Sequence, residues 1–172
     1  MSTLSQIKQY LTLKLPPPTP HSVWTNPIHY IACGFGIGCL PILPGTFATV
    51  LGVGLSLILA PLNWPTNISI LFVLNLAGMW LCGKTNEDFG CQDHPAACFD
   101  EIATFPICLI GISATAQNVI IAFILFRILD IFKPPPIGFI DRNVKGGFGV
   151  MFDDTVAALI TLVIMHGLAI IV

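Results

Sequence analysis

An all-α bundle associated with a membrane is the fold class this sequence predicts, and three observations predict it. Hydrophobic residues make up 55% of the 172-residue chain and charged residues only 9%, against roughly 25% in an average soluble domain. No Asp, Glu, Lys or Arg occurs between Lys14 and Lys84. The apolar residues run in nearly unbroken stretches of helical length. So few charges cannot hold a surface in water, and the bilayer is the natural solvent for such a chain. The length suits one domain, read as residues 26–172 behind an N-terminal tail or interfacial segment over residues 1–25.

In that leading segment, Lys8 and Lys14 flank an apolar pattern of Leu4, Ile7 and Leu11, and Pro16, Pro17 and Pro18 end it. No apolar core with a small-residue cleavage site follows, so it does not read as a signal peptide. The two lysines place the N-terminus on the cytoplasmic side. Residues 45–62 and 67–83 then form a helical hairpin, turned by Pro61, Asn63, Pro65 and Asn67. Each arm is slightly short for a span of about 20 residues. The stretch 102–126 carries Ser113, Thr115, Gln117 and Asn118 at its middle. It is read as two short helices in a re-entrant or interfacial hairpin, which keeps the polar segments before and after it on one side. Residues 155–172 make the C-terminal helix.

The charges between these runs form two islands. The first holds Lys84, Glu87, Asp88, Asp93, Asp100 and Glu101, a net −4. The second runs from Arg127 to Asp154 and balances four acids against four bases. All nine acids of the chain lie in the two islands. The overall net charge of −2 gives no field that would attract nucleic acid. Six cysteines are present and none stands in a C-x-x-C pair, so the zinc-site spacing is missing.

Acids are costly near a membrane and are usually functional there. On a continuous helix Asp93 and Asp100 share a face, and Glu101 adds a third carboxylate. That donor set suits magnesium, which takes one or two carboxylates together with water and phosphate oxygens. Arg127, Asp130 and Lys133 recur at helical spacing before the Pro134-Pro135-Pro136 stop. Arginine grips phosphate bidentately and lysine acts as a point charge. From Asp141 to Asp154 the chain combines Asp141, Arg142 and Lys145 with Gly146, Gly147 and Gly149, whose backbone N–H groups are candidates for an anion nest. Asp153 and Asp154 then open the last helix, where one acid could act simply as a cap. Pro44-Gly45-Thr46 marks the mouth of the first long helix, and helix N-termini hold phosphate.

Taken together these residues resemble the phosphatidylglycerophosphatase A family. The resemblance is carried by Asn26-Pro27 through Gly34-Phe35-Gly36 and Pro44-Gly45-Thr46, by Asp88 through Asp93-His94, by Asp100-Glu101, and by the block from Phe126-Arg127 through Asp130, Lys133-Pro134, Asp141-Arg142-Asn143 and Gly146-Gly147 to Asp153-Asp154. It covers residues 26–160. The chain departs from the pattern at Ile37, Ala48, Thr104, Pro95 and Lys145, and loses no carboxylate by doing so. The resemblance implies a bacterial inner-membrane enzyme, its site facing the cytoplasm. Such an enzyme removes the terminal phosphate of phosphatidylglycerophosphate with the help of Mg²⁺. On that reading Asp93, Asp100, Glu101, Asp130, Asp153 and Asp154 are the metal ligands. Thr46, Arg127, Lys133, Arg142, Gly146 and Gly147 bind substrate. Catalysis falls to Asp100, Glu101, Asp153, Asp154 and Asp141, the last as general base. The partners are then the lipid substrate and the membrane, with no nucleic acid, and the sequence leaves the oligomeric state open. A cation channel or transporter is the competing class; it requires acids spaced along several spans, whereas these cluster at span ends.

Overall fold

The computed structural model describes residues 19–171, so most of the leading segment expected over residues 1–25 lies outside the described residues. Seven α-helices and three 3₁₀ segments follow one another, with no strand among the described residues. A 3₁₀ turn at His21–Trp24 leads to α1 (Pro27–Ala32), and a second at Gly34–Cys39 leads to α2 (Pro44–Leu59). Helix α3 is Trp64–Asp88. Helix α4 (Phe99–Thr104) continues as a 3₁₀ segment, Phe105–Leu109. Helices α5 (Ala116–Phe132), α6 (Ile137–Asn143) and α7 (Gly146–Ile171) complete the chain.

Local chemistry explains most of the boundaries. The Asn26 side chain accepts from the Ile28 N–H at 3.0 Å, and Pro27 sits where its missing N–H costs nothing. Asn63 caps α3 by accepting from the Thr66 N–H, and Thr115 caps α5 by accepting from the Asn118 N–H. Pro106 removes an N–H just past α4, where the helix tightens into a 3₁₀ segment. Lys133 ends α5 in the left-handed region at φ 43°, followed directly by the Pro134-Pro135-Pro136 run.

The α2–α3 hairpin stands within a few residues of the expected one. The stretch 102–126 does divide into two. Its first arm, α4 and the 3₁₀ segment, is buried from Ile102 to Leu109 and runs through the middle of the bundle rather than along an interface. The turn after it lies beside the α2–α3 turn, since Gly111, Ile112 and Ser113 share a cavity with Ser56, Ala60 and Leu62. Helix α5 then returns, so both charged islands finish at one end of the bundle. Phe105 anchors the arm, edge-on to Phe126 with ring centroids 5.8 Å apart and to Phe123 at 6.2 Å.

The C-terminal helix differs from the expectation. It begins at Gly146 rather than residue 155. Only Gly146 has a positive φ there, 72°. The next glycine serves packing: a Cβ on Gly147 would run into the Met79 carbonyl and the Gly83 backbone of α3. This close approach locks α7 against α3. Asp153 and Asp154 therefore lie two turns inside a helix and cannot cap its N-terminus.

Helices α3 and α7 are each long and apolar enough to cross a membrane, by length and composition. Their outer faces show large apolar side chains, including Phe72, Trp80 and Val163, each at least 60% exposed.

Gly147→Ala is expected to destabilise the protein by about 2 kcal/mol, because its new methyl meets backbone that cannot rotate away. Gly54→Ala in α2, where a Cβ meets nothing within 4 Å, should instead stabilise it by about 0.5 kcal/mol. Denaturant unfolding of the two variants in detergent micelles measures both.

Candidate active site

The helix ends meet at a cavity of about 400 Å³. Its walls carry Asp93 from the α3–α4 loop, Asp100 and Glu101 from α4, Arg127 and Asp130 from α5, Lys133 at the end of α5, and Asp153 and Asp154 from α7. Six carboxylates thus face two cations in a partly enclosed space. Unbalanced charge of this kind must be met by protons or by a bound cation.

Asp100, Glu101 and Asp154 form the densest part: they offer one ligand oxygen each, all within 4.8 Å of one another. Asp100 and Asp154 are buried. Glu101 Oε2 and Asp154 Oδ2 are buried with no hydrogen-bond partner. Burial, reinforced by Glu101, pushes the Asp100 carboxyl well above its usual range. Burial, and then the Asp154 charge, pushes Glu101 up to about 8. Three converging carboxylates, two of which keep an orphaned oxygen, are a donor set that could hold a hard divalent cation.

The cations are held by the remaining acids. Arg127 Nη1 donates to Asp130 Oδ2 at 2.6 Å and reaches Glu101 Oε1 at 3.5 Å, while its buried Nε has no partner. Lys133 Nζ bridges two carboxylates, donating to Asp141 Oδ1 and Asp153 Oδ2 at 2.5 Å each. Burial works against the lysine charge, but the bonds to Asp141 and Asp153 outweigh it and hold the ammonium above its usual range. Asp153 keeps Oδ1 buried and unpartnered.

The α3–α4 loop that brings Asp93 to this cavity is fixed by its own backbone. The Asn86 side chain accepts from the His94 N–H at 3.0 Å, and His94 Nδ1 accepts from the Ala96 N–H at 3.1 Å. The Phe89 ring stands edge-on between His94 and His29. Asp88 accepts from Lys84 and bonds His29, so it braces the end of α3 outside the cavity. Asp93 and Asp100 are not on one continuous helix; a loop separates them, and both still reach the cavity.

Other expected site residues stand elsewhere. Asp141 lines an adjoining polar pocket of about 250 Å³ with Gln92, Lys145, Gly146 and Gly149, and this pocket shares Asp93 and Asp153 with the main cavity. Gly147 is spent on the α3 contact, and Thr46 and Arg142 do not line the cavity. Conversely, Pro41 and Leu43 line it without having been singled out, and of the Pro44-Gly45-Thr46 helix mouth it is Pro44 and Gly45 that line it. A Cβ on Gly45 would collide with Glu101 Oε1, so only glycine lets α2 approach the carboxylate. Pro44-Gly45 at a helix mouth was the available signal for that approach.

Fold and site define a class: an all-α protein with apolar outer helices and a carboxylate-rich cavity, faced by two cations, where its helix ends meet. Residues 30–169 match the family model of phosphatidylglycerophosphatase A. Phosphatidylglycerophosphatase A of Escherichia coli (strain K12) is 37% identical over 143 residues, 83% of each chain. The protein of that name from Haemophilus influenzae is 37% identical over 148 residues, covering 83% of this chain and 89% of its own. A putative phosphatidylinositol-3-phosphatase of Bacteroides thetaiotaomicron is 33% identical over 144 residues, covering 78% and 89%. No solved structure matches. The chain belongs to the phosphatidylglycerophosphatase A family and is a phosphatase.

A carboxyl whose pKa is raised on folding stabilises the fold when protonated and loses that contribution as pH rises through the folded value. With a chelator present, stability should therefore fall between pH 5 and about 8, and Glu101→Gln should flatten that slope. Thermal unfolding across this range is the measurement.

Proposed function

We propose that this protein hydrolyses phosphatidylglycerophosphate to phosphatidylglycerol and inorganic phosphate, in a Mg²⁺-dependent reaction at the cytoplasmic face of a bacterial inner membrane. The observation that carries the reading is the convergence of Asp100, Glu101 and Asp154 on one point, opposite Arg127 and Lys133 in the same cavity. The substrate follows from the two relatives that carry its name at 37% identity. Two helices long enough to span and the lysines near the N-terminus support the location.

Asp100, Glu101 and Asp154 would hold the metal, as their unpartnered oxygens favour. When bound, Mg²⁺ supplies positive charge that shields the phosphate and polarises water. Arg127 orients the phosphate oxygens, and its unpartnered Nε leaves a donor free for them. Lys133, fixed by Asp141 and Asp153, offers a point charge where negative charge grows on phosphoryl oxygens. A water attacks phosphorus in line with the ester oxygen, that P–O bond breaks, and the departing oxygen takes up a proton to leave as the alcohol. Asp153 Oδ1 is the proton acceptor inside the cavity. Asp141 was the expected base; it lines the adjoining pocket rather than the main cavity and is better placed to hold Lys133.

Purified protein should release phosphate from phosphatidylglycerophosphate in mixed micelles, stop on chelation and resume with Mg²⁺. Asp100→Asn and Asp154→Asn should each lower kcat by roughly a thousandfold with helical circular dichroism unchanged. Undiminished turnover in both would remove the metal-site assignment. Faster release from phosphatidylinositol 3-phosphate would move the substrate toward the third relative's.

A further inference from the structure

We propose that the acyl chains of the substrate enter sideways between α2 and α5, and that the loop ahead of α2 seats the chain segment next to the headgroup. The proposal rests on the lipid substrate argued above.

The cavity has two chemically different sides. Its carboxylates and cations come from α4, α5, α7 and the α3–α4 loop, while the side formed by the loop ahead of α2 and the first residue of that helix is Pro41, Leu43 and Pro44. A bare phosphate needs no apolar wall; an ester carrying hydrocarbon does. Leu43 is the sharpest part of that wall. Its φ of 51° puts a leucine in the left-handed region, and its side chain is 58% exposed. Neither the backbone nor packing within the chain favours leucine here. A partner outside the chain accounts for it.

The apolar surface continues away from the cavity. Helices α2 and α5 both pack on the central arm, both border the cavity, and touch each other only lightly. On α5, Ile124 and Ile131 stand one turn on either side of Arg127 and are exposed. An acyl chain lying against Ile124 and Ile131 begins beside the phosphate-binding arginine. The larger apolar groove of the molecule, lined by Phe72, Met79, Phe148, Phe152 and Leu159, carries no charged residue. It also lies on the face of α7 turned away from Asp154, because Phe152 is two residues from it on the helix.

The test compares kcat/KM for dipalmitoyl phosphatidylglycerophosphate in mixed micelles with that for its deacylated headgroup. The unaltered full-length protein should prefer the acylated compound. Leu43→Gly should lower that preference about tenfold, chiefly by raising KM, while the melting temperature holds, since glycine adopts this backbone freely. Ile131→Ser should act in the same direction. A photoactivatable acyl chain should label peptides from the loop ahead of α2 and from α5. An unchanged preference in both variants, or labelling confined to the α3–α7 groove, would overturn the proposal. Hydrolysis of neither compound by the unaltered protein would instead defeat the substrate reading, and this proposal with it.

Discussion

The constraint on which the rest of the structure depends is the burial of carboxylates at one end of an apolar bundle. Asp100, Glu101 and Asp154 converge within 4.8 Å where water cannot screen them well. Isolated, each would lose its charge. The surrounding features are arranged about this repulsion. Arg127 reaches across to Glu101, Lys133 ties Asp153 to Asp141, and the Gly45 backbone closes in on Glu101. The cluster is poorly suited to stand by itself, and a positive partner would relieve that poor fit.

Bringing these acids together required a chain path that turns back inside the bundle. Had residues 102–126 crossed as one helix, Asp100 and Asp154 would lie at opposite ends. Pro106, the Gly111 turn at φ 74° and the Thr115 cap break the segment. Phe105 and Phe126 supply the packing that keeps the inner arm in place. Buried helical backbone satisfies its own polar groups, so a broken helix is tolerated in the middle of the bundle.

Sequence reading reached the helical class and the hairpin, because long apolar runs and Pro or Asn turns are local signals, and it reached the return of the second hairpin from a polar middle and the need to keep both islands on one side. It also reached the acids, since charge is scarce enough here for each one to stand out. It misplaced the start of α7. Gly146, Gly147 and Gly149 read as loop by propensity, and only the tertiary contact with Met79 and Gly83 makes them helix. The left-handed conformations of Leu43 and Lys133 were not legible either. Neither residue type favours that region, and what imposes it is the surrounding fold rather than the adjoining letters. The loop between Asp93 and Asp100 was hidden for a related reason: its hydrogen bonds involve Asn86, several residues upstream.

The early start of α7 has a consequence for depth. Asp154 lies eight residues into a helix that opens at Gly146, so it stands roughly 12 Å along the axis from that opening. If the opening marks the level of the lipid headgroups, the reacting phosphate must sink below its neighbours to be cleaved. Entry then sorts molecules by whether they can tolerate that descent. A soluble phosphate ester gains nothing from it, whereas a lipid exchanges one hydrocarbon surrounding for another.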